Sequence, residues 1–123
     1  MSNEITISKA ELALDLTNAG LKVLDYVPER IVPPILIINV ASPYLAPNTI
    51  SREFVMSLEL VAIAATATNK QATEKLDELI ADTILALPAY ANLRNVLAPY
   101  TMQTNNAEYL AANIYVEIYI TID

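Results

Sequence analysis

The pattern of apolar and polar positions is most regular near the C-terminal end of the chain. In "ANIYVEIYITID" the even positions, Ala112, Ile114, Val116, Ile118, Ile120 and Ile122, are all apolar. The odd positions are Asn113, Tyr115, Glu117, Tyr119, Thr121 and Asp123. Period-two alternation of this kind predicts a strand with one buried and one polar face, here from about Tyr109 to Ile122. A second long strand is predicted over Glu53 to Thr66. Phe54, Met56, Leu58 and Leu60 alternate there with Glu53, Ser57 and Glu59, and both faces turn apolar at Val61 and Ile63.

Two segments carry the helical period instead. Ser8 and Glu11 read as a capping box opening a first helix, with Ile7 stapled against Leu12. Leu12, Leu16 and Ala19, joined by Ala13, form its apolar stripe, and Gly20, the single glycine of the chain, suits a left-handed C-terminal cap. Thr68 and Gln71 suggest a second box opening a helix through about Leu87. Its stripe is Ala72, Leu76, Leu79, Ile80, Ile84 and Leu87, and Pro88 closes it. Glu74, Lys75, Asp77, Glu78 and Asp82 cover its outer side.

The remainder is less periodic. Leu21 to Val27 alternates as a strand would, and Pro28, Pro33 and Pro34 then force extended or turning backbone. Ile35 to Ala41 is a continuous apolar run, predicting a strand buried on both faces near the sheet centre. Ser42 to Arg52 holds two prolines and no period, so it reads as a long loop. That loop is either a flap over its own core or an arm on a neighbouring subunit. Residues 88–108 predict one short strand, over Leu93 to Leu97 or Tyr100 to Thr104, and a turn at "TNNAE". Short connections with only two helices predict a single α+β domain over residues 1–123. Its sheet is mostly antiparallel, with four to five strands and two helices packed on one face.

Size bears on the two long strands. A domain of 123 residues has a diameter of about 36 Å. Extended, Glu53 to Thr66 would span about 46 Å and Ala112 to Ile122 about 36 Å. Either they overhang the domain and offer backbone to a neighbour, or bends and bulges shorten them.

Composition narrows the chemistry. With 54% apolar and only 17% charged residues, the chain is expected to fold and to hide part of its surface in an assembly. A net charge of −7, with the seven Lys and Arg scattered, argues against wrapping nucleic acid. The absence of Cys and His removes disulfides, thiolate nucleophiles, the commonest general base and the commonest transition-metal ligand. One glycine cannot make a phosphate-binding loop. The start "MSNEITISKAE" lacks a cationic segment and an apolar run, so no secretory signal is expected. "FVMSLELVAIAATA" is too short, and Glu59 too polar, for a membrane helix. A cytoplasm-like compartment is expected.

The remaining candidates are weak as catalysts. Glu74, Asp77, Glu78 and Asp82 are oxygen ligands suited to magnesium, but with Lys75 among them they read as a solvated helix face. Glu59, between Leu58 and Leu60, falls on the polar strand face beside Ser57, as an exposed or interfacial carboxylate. Tyr90, Tyr100, Tyr109, Tyr115 and Tyr119 lack the positive groove that base stacking needs, and tyrosine suits subunit interfaces. Tyr115 and Tyr119 share one face with Glu117 between them, packed on a helix or a neighbour rather than stacking a ligand. The interface candidates are Tyr44, Leu45, Arg52, Tyr115 and Tyr119. No catalytic residue, cofactor or metal site is expected.

The order of elements carries a resemblance. A capped helix precedes "LKVLDYVPERIVPPILIINVA", then a long loop, "EFVMSLELVAIAAT", the helix "TEKLDELIADTILAL" and the closing alternating strand. Over nearly the whole chain this layout resembles the tail terminator, or tail completion, proteins of long non-contractile-tailed bacteriophages. The resemblance implies a non-catalytic virion protein assembled in the host cytoplasm. It would form a hexameric ring on the head-proximal end of the tail tube, stop tube growth and dock to the head–neck connector. DNA would pass through its lumen without specific binding. No short motif aligns individual residues, so no functional residue is transferred. The alternatives are another ring protein of the particle (neck, head-closure or tube subunit) and, from a different class, a small-molecule-binding α+β domain or an enzyme using only carboxylates and tyrosines.

Overall fold

The structure, a computed structural model, describes residues 4–26, 28–48, 52–65, 70–104 and 107–122. Its first element, α1 (Glu4–Asn18), starts earlier than the sequence suggests. Ser8 therefore lies inside the helix rather than at its cap, and Ile7 points outward at 37% exposure instead of stapling Leu12. The reason is Ile5, which stands two turns before Leu12 and packs with Leu12 and Leu16 on the core. The C-terminus matches expectation. Gly20 has φ +99°, its amide donates to Thr17 O (3.0 Å), and the Leu21 amide donates to Leu16 O (3.2 Å). These are the two bonds of a Schellman cap, and Leu21 joins Leu16 in the core as that motif requires.

Only Val23–Leu24 of the next predicted strand is a strand, β1, and it runs parallel to β2 (Ile35–Pro47). Val27 lies outside the described residues. Two peptide bonds, Pro33–Pro34 and Ser42–Pro43, are cis. β2 extends well into the segment read as a loop. Its pairing with β3 (Glu53–Ala65) breaks after Val40↔Leu58 and resumes at Leu45↔Met56. Four residues, 41–44, thus oppose Ser57 alone, and the face parity of β2 inverts across them. Tyr44 and Leu45 consequently pack against the main core, so the segment is a flap on its own domain.

α2 (Lys70–Ala86) follows, and Thr68 of its expected capping box lies outside the described residues. Its buried line is Ala72, Leu76, Leu79 and Thr83, whereas Ile84 is 38% exposed. Thr83 replaces Ile84 on the inner side without cost to its hydroxyl, which donates to Leu79 O at 2.7 Å. Beyond Pro88, Tyr90 donates to the Asp15 carboxylate and ties this end of α2 to α1.

The single short strand expected next is two: β4 (Ala91–Val96) and β5 (Tyr100–Thr104). Both pair antiparallel with the same side of β6 (Ala107–Thr121), β4 opposite 114–118 and β5 opposite 107–111. Among the described residues six strands, not four or five, form one mostly antiparallel sheet in the order β1-β2-β3-β6-β4, with β5 also on β6. β3 and β6 meet their length by pairing with each other from Glu53↔Thr121 to Ala65↔Leu110, not by overhanging. The even residues of both strands, among them Met56, Leu58, Leu60, Ile114, Val116 and Ile118, share one core with the buried residues of α1 and α2.

The opposite face has a smaller core of its own. Ile31, on the proline-rich segment between β1 and β2, lies over Ile35, Ile37, Val61, Ile63, Tyr109 and Ala111. This cover explains why the sequence turns apolar on both faces at Val61 and Ile63, and, with the helices over Leu36 and Ile38 on the other side, why Ile35 to Ile38 are all buried. Leu58, in a central strand with 0% exposure, should respond strongly to truncation. Leu58→Ala is expected to lower the unfolding free energy by about 2–5 kcal/mol. Leu14→Ala, on a side chain 59% exposed, should change it by less than about 0.5 kcal/mol, both read by urea denaturation.

Candidate functional site

Where the Ile31 cover ends, the second face of the sheet is uncovered and polar. Register assembles it in rows: Asn39↔Glu59↔Tyr115↔Asn95, and next to it Ser57↔Glu117↔Asn92. Ala46↔Val55↔Tyr119 lies beyond, toward the β2–β3 turn. A bulge in β4 sets Arg94 and Asn95 together opposite Tyr115, and Arg94 Nη1 reaches Glu117 Oε1 at 3.4 Å. With the arginine side chain 61% exposed, this pair contributes little to stability. Its effect is on charge. The strand positions of this face carry Glu53, Glu59 and Glu117 and, among the described residues, one cationic side chain, Arg94.

Two hollows lie along the face. One, of about 370 Å³, is bordered by Pro43, Ser57, Arg94, Tyr115 and Glu117. The other, of about 340 Å³, runs from Ile31, Ile37, Val61 and Met102 to Asn39, Glu59 and Tyr100. Tyr100 donates to Asn113 Oδ1 at 2.7 Å, which holds its ring at the wall of the second hollow. Burial, and then the charges of Glu59 and Tyr115, push the Tyr100 phenol above its ordinary value, against a smaller opposing effect of the Asn113 bond. A wider hollow of about 640 Å³ sits between the end of α1 and α2, where Lys22, Lys75, Glu78 and Asp82 mingle. Those polar groups are long exposed side chains without a common target, so that cleft lacks the fixed polar groups of a binding site.

The interface candidates separate. Tyr115 and Tyr119 share the open face with Glu117 between them, as alternation requires, and Tyr119 is 59% exposed. Neither helix covers them, since both helices pack into the core on the other side of the sheet. Tyr44 and Leu45 face that core, with Lys9 Nζ 5.4 Å from the Tyr44 ring centroid. Arg52 stands at the β2–β3 turn with φ 69°, and its carbonyl accepts the Ile122 amide at 2.8 Å. The structure therefore joins two of the five and places the other three elsewhere. Glu74, Asp77, Glu78 and Asp82 lie exposed along α2. Among the described residues no group of three or more acidic side chains is placed to hold a metal ion.

Asn113 falls on this face as the alternation of the last strand requires, whereas Asn39, Tyr100 and Arg94 belong to it but were not legible as members of it. Their signal is pairing register, which one sequence does not display. No protein-family model and no curated protein matches the chain. Among the described residues no helix is long and apolar enough to cross a membrane.

The Tyr100 environment makes a pH prediction. A phenol whose folded pKa is raised contributes stability that is complete below its unfolded value, about 10. That contribution is lost as pH climbs through the folded value. Removing the nearby charge should move the transition down. Glu59→Gln is expected to lower the titration midpoint of Tyr100, measured as tyrosinate absorption against a Tyr100→Phe reference, while Glu108→Gln leaves it in place.

Proposed function

We propose that the chain is a virion structural protein, a tail terminator that caps the head-proximal end of a phage tail tube as a ring. It stops tube polymerisation and joins the tail to the head–neck connector. The observation that carries the reading is the unequal treatment of the two sheet faces. Both helices serve one face, which makes the two-layer domain, while Tyr115 and Tyr119 of β6 remain outside it. A ring subunit needs two dissimilar surfaces that meet head to tail. An uncovered acidic face with Tyr119 at 59% exposure, and the differently composed outer edge of β4, offer such a pair.

Charge supports the same reading. A net charge of −7 without a basic cluster suits a lumen that passes DNA and does not hold it. The chain has no catalytic role in this reading and takes no cofactor. A neck or head-closure ring, or a tube subunit, would draw on the same surfaces and differs in which neighbour it meets.

Light scattering after size exclusion, alone and with purified tail tubes, tests the proposal together with tube length in electron micrographs. The expected result is a six-copy mass on tube ends and arrested tube growth, both weakened at least about tenfold by Tyr119→Glu. A chain that stays monomeric beside tubes and leaves their length unchanged overturns it.

A further inference from the structure

Glu59 is the middle residue of β3 and stands half-buried on the floor of the sheet, between Asn39 on one neighbouring strand and Tyr115 on the other. Among the described residues no hydrogen bond or ion pair reaches its carboxylate, and the nearby guanidinium, Arg94, is given to Glu117. A carboxylate drawn partly out of water without a partner is unfavourable. It also lies at the end of the hollow of about 340 Å³, whose other end is Ile31, Ile37, Val61 and Met102. The hollow is therefore amphipathic along its length, with an aliphatic end and an anionic, aromatic end.

We infer that this hollow binds an alkyl cation, an ammonium or guanidinium group on a short aliphatic stem. The stem lies against Ile37, Val61 and Met102, and the head meets Glu59 beside the Tyr100 ring. Several features converge on that ligand class. The volume is at the lower end of the range for small-ligand pockets, about 300–1,000 Å³. A carboxylate accepts charge-assisted hydrogen bonds from either head, and an aromatic face attracts the same charge. The side-chain carbonyl of Asn39 supplies a further acceptor. A hard metal ion is served poorly, because it wants about six oxygen ligands and a single carboxylate converges here. An anion would meet Glu59 directly. The inference holds whether or not the chain assembles as a ring, and a basic side chain of a partner protein and a free small cation share the required chemistry.

Calorimetric or NMR titration of the full chain with butylguanidinium, butylammonium and the neutral butylurea tests it. Both cations should bind in the millimolar range, at least about tenfold tighter than butylurea, with NMR shifts centred on Asn39, Tyr100 and Met102. Glu59→Gln should abolish the preference for charge, and Glu59→Asp should retain it. A blocked Gly-Arg-Gly peptide separates the sources. Tighter binding than butylguanidinium assigns the head to a protein partner, and equal or weaker binding assigns it to a free cation. The proposal is overturned if butylurea binds the wild-type chain as well as the cations do, if no cation binds, or if a folded Glu59→Gln keeps the charge preference. The wild-type comparison decides even if the variant does not fold.

Discussion

The antiparallel ladder between β3 and β6 is the constraint on which the remaining structure depends. The two strands pair along nearly their whole length, and each then carries further strands on its outer side, β2 on β3 and β4 with β5 on β6. Because side chains alternate with period two, this one register decides which residues face the helices. A slip by one residue would turn one strand over, sending either Leu58 and Leu60 of β3 or Ile114 and Val116 of β6 to the open side and Glu59 or Glu117 into the core. Burying a carboxylate beneath apolar helices is costly, and so is exposing the displaced apolar set, so the register is held from both faces at once. One bulge, between Ile63 and Ala65, is the only irregularity the ladder shows among the described residues.

The same ladder is treated differently at its two ends. Toward Ile63 and Ala111 the chain supplies its own second layer, the segment bearing Ile31, and closes it with a hydrogen bond from the Tyr109 hydroxyl to Ile31 O (3.4 Å). Toward Val55 and Tyr119 nothing in the described chain lies over the strands on that side. The β2–β3 register break and the β4 bulge both occur in this uncovered half. Bulges bend and twist a strand and redirect its side chains, which is how Arg94 comes to stand over Glu117.

How much of this was legible follows from the same physics. β3 and β6 were readable because each is long, nearly regular and buried on one face, so alternation survives in the sequence. Their two-sided apolar end was visible at Val61 and Ile63, although the sequence did not say that Ile31 would cover it. Ser42 to Pro47 was not readable as strand, because the prolines and the four residues 41–44 break the period that would have revealed it. The start of α1 was misplaced because Ser8 and Glu11 imitate a cap, while the tertiary contact of Ile5 extends the helix past them. Ile84 and Thr83 show the limit of composition. The helical phase that buries Leu76 and Leu79 selects position 83, and a threonine that bonds its own backbone is accepted there. The candidate site was half legible, since alternation places Tyr115, Glu117 and Tyr119 together but cannot name Asn39 or Arg94 as their neighbours.

Glu59 stands at the boundary between these two halves. One row away, at Val61 and Ile37, the chain buries the sheet under its own residues, and one row the other way, at Ser57, it leaves the sheet open. A neutral polar side chain would serve a mere edge of the cover, as Asn39 and Asn113 do in adjoining strands. A half-buried carboxylate at the centre of the longest ladder places a negative charge at the rim of that cover instead. The described chain pairs Arg94, on the neighbouring strand of this face, with Glu117 instead, by way of a bulge in β4. In the binding mode inferred for this hollow, the cation that meets Glu59 comes from a ligand and lies along an aliphatic wall that is already built.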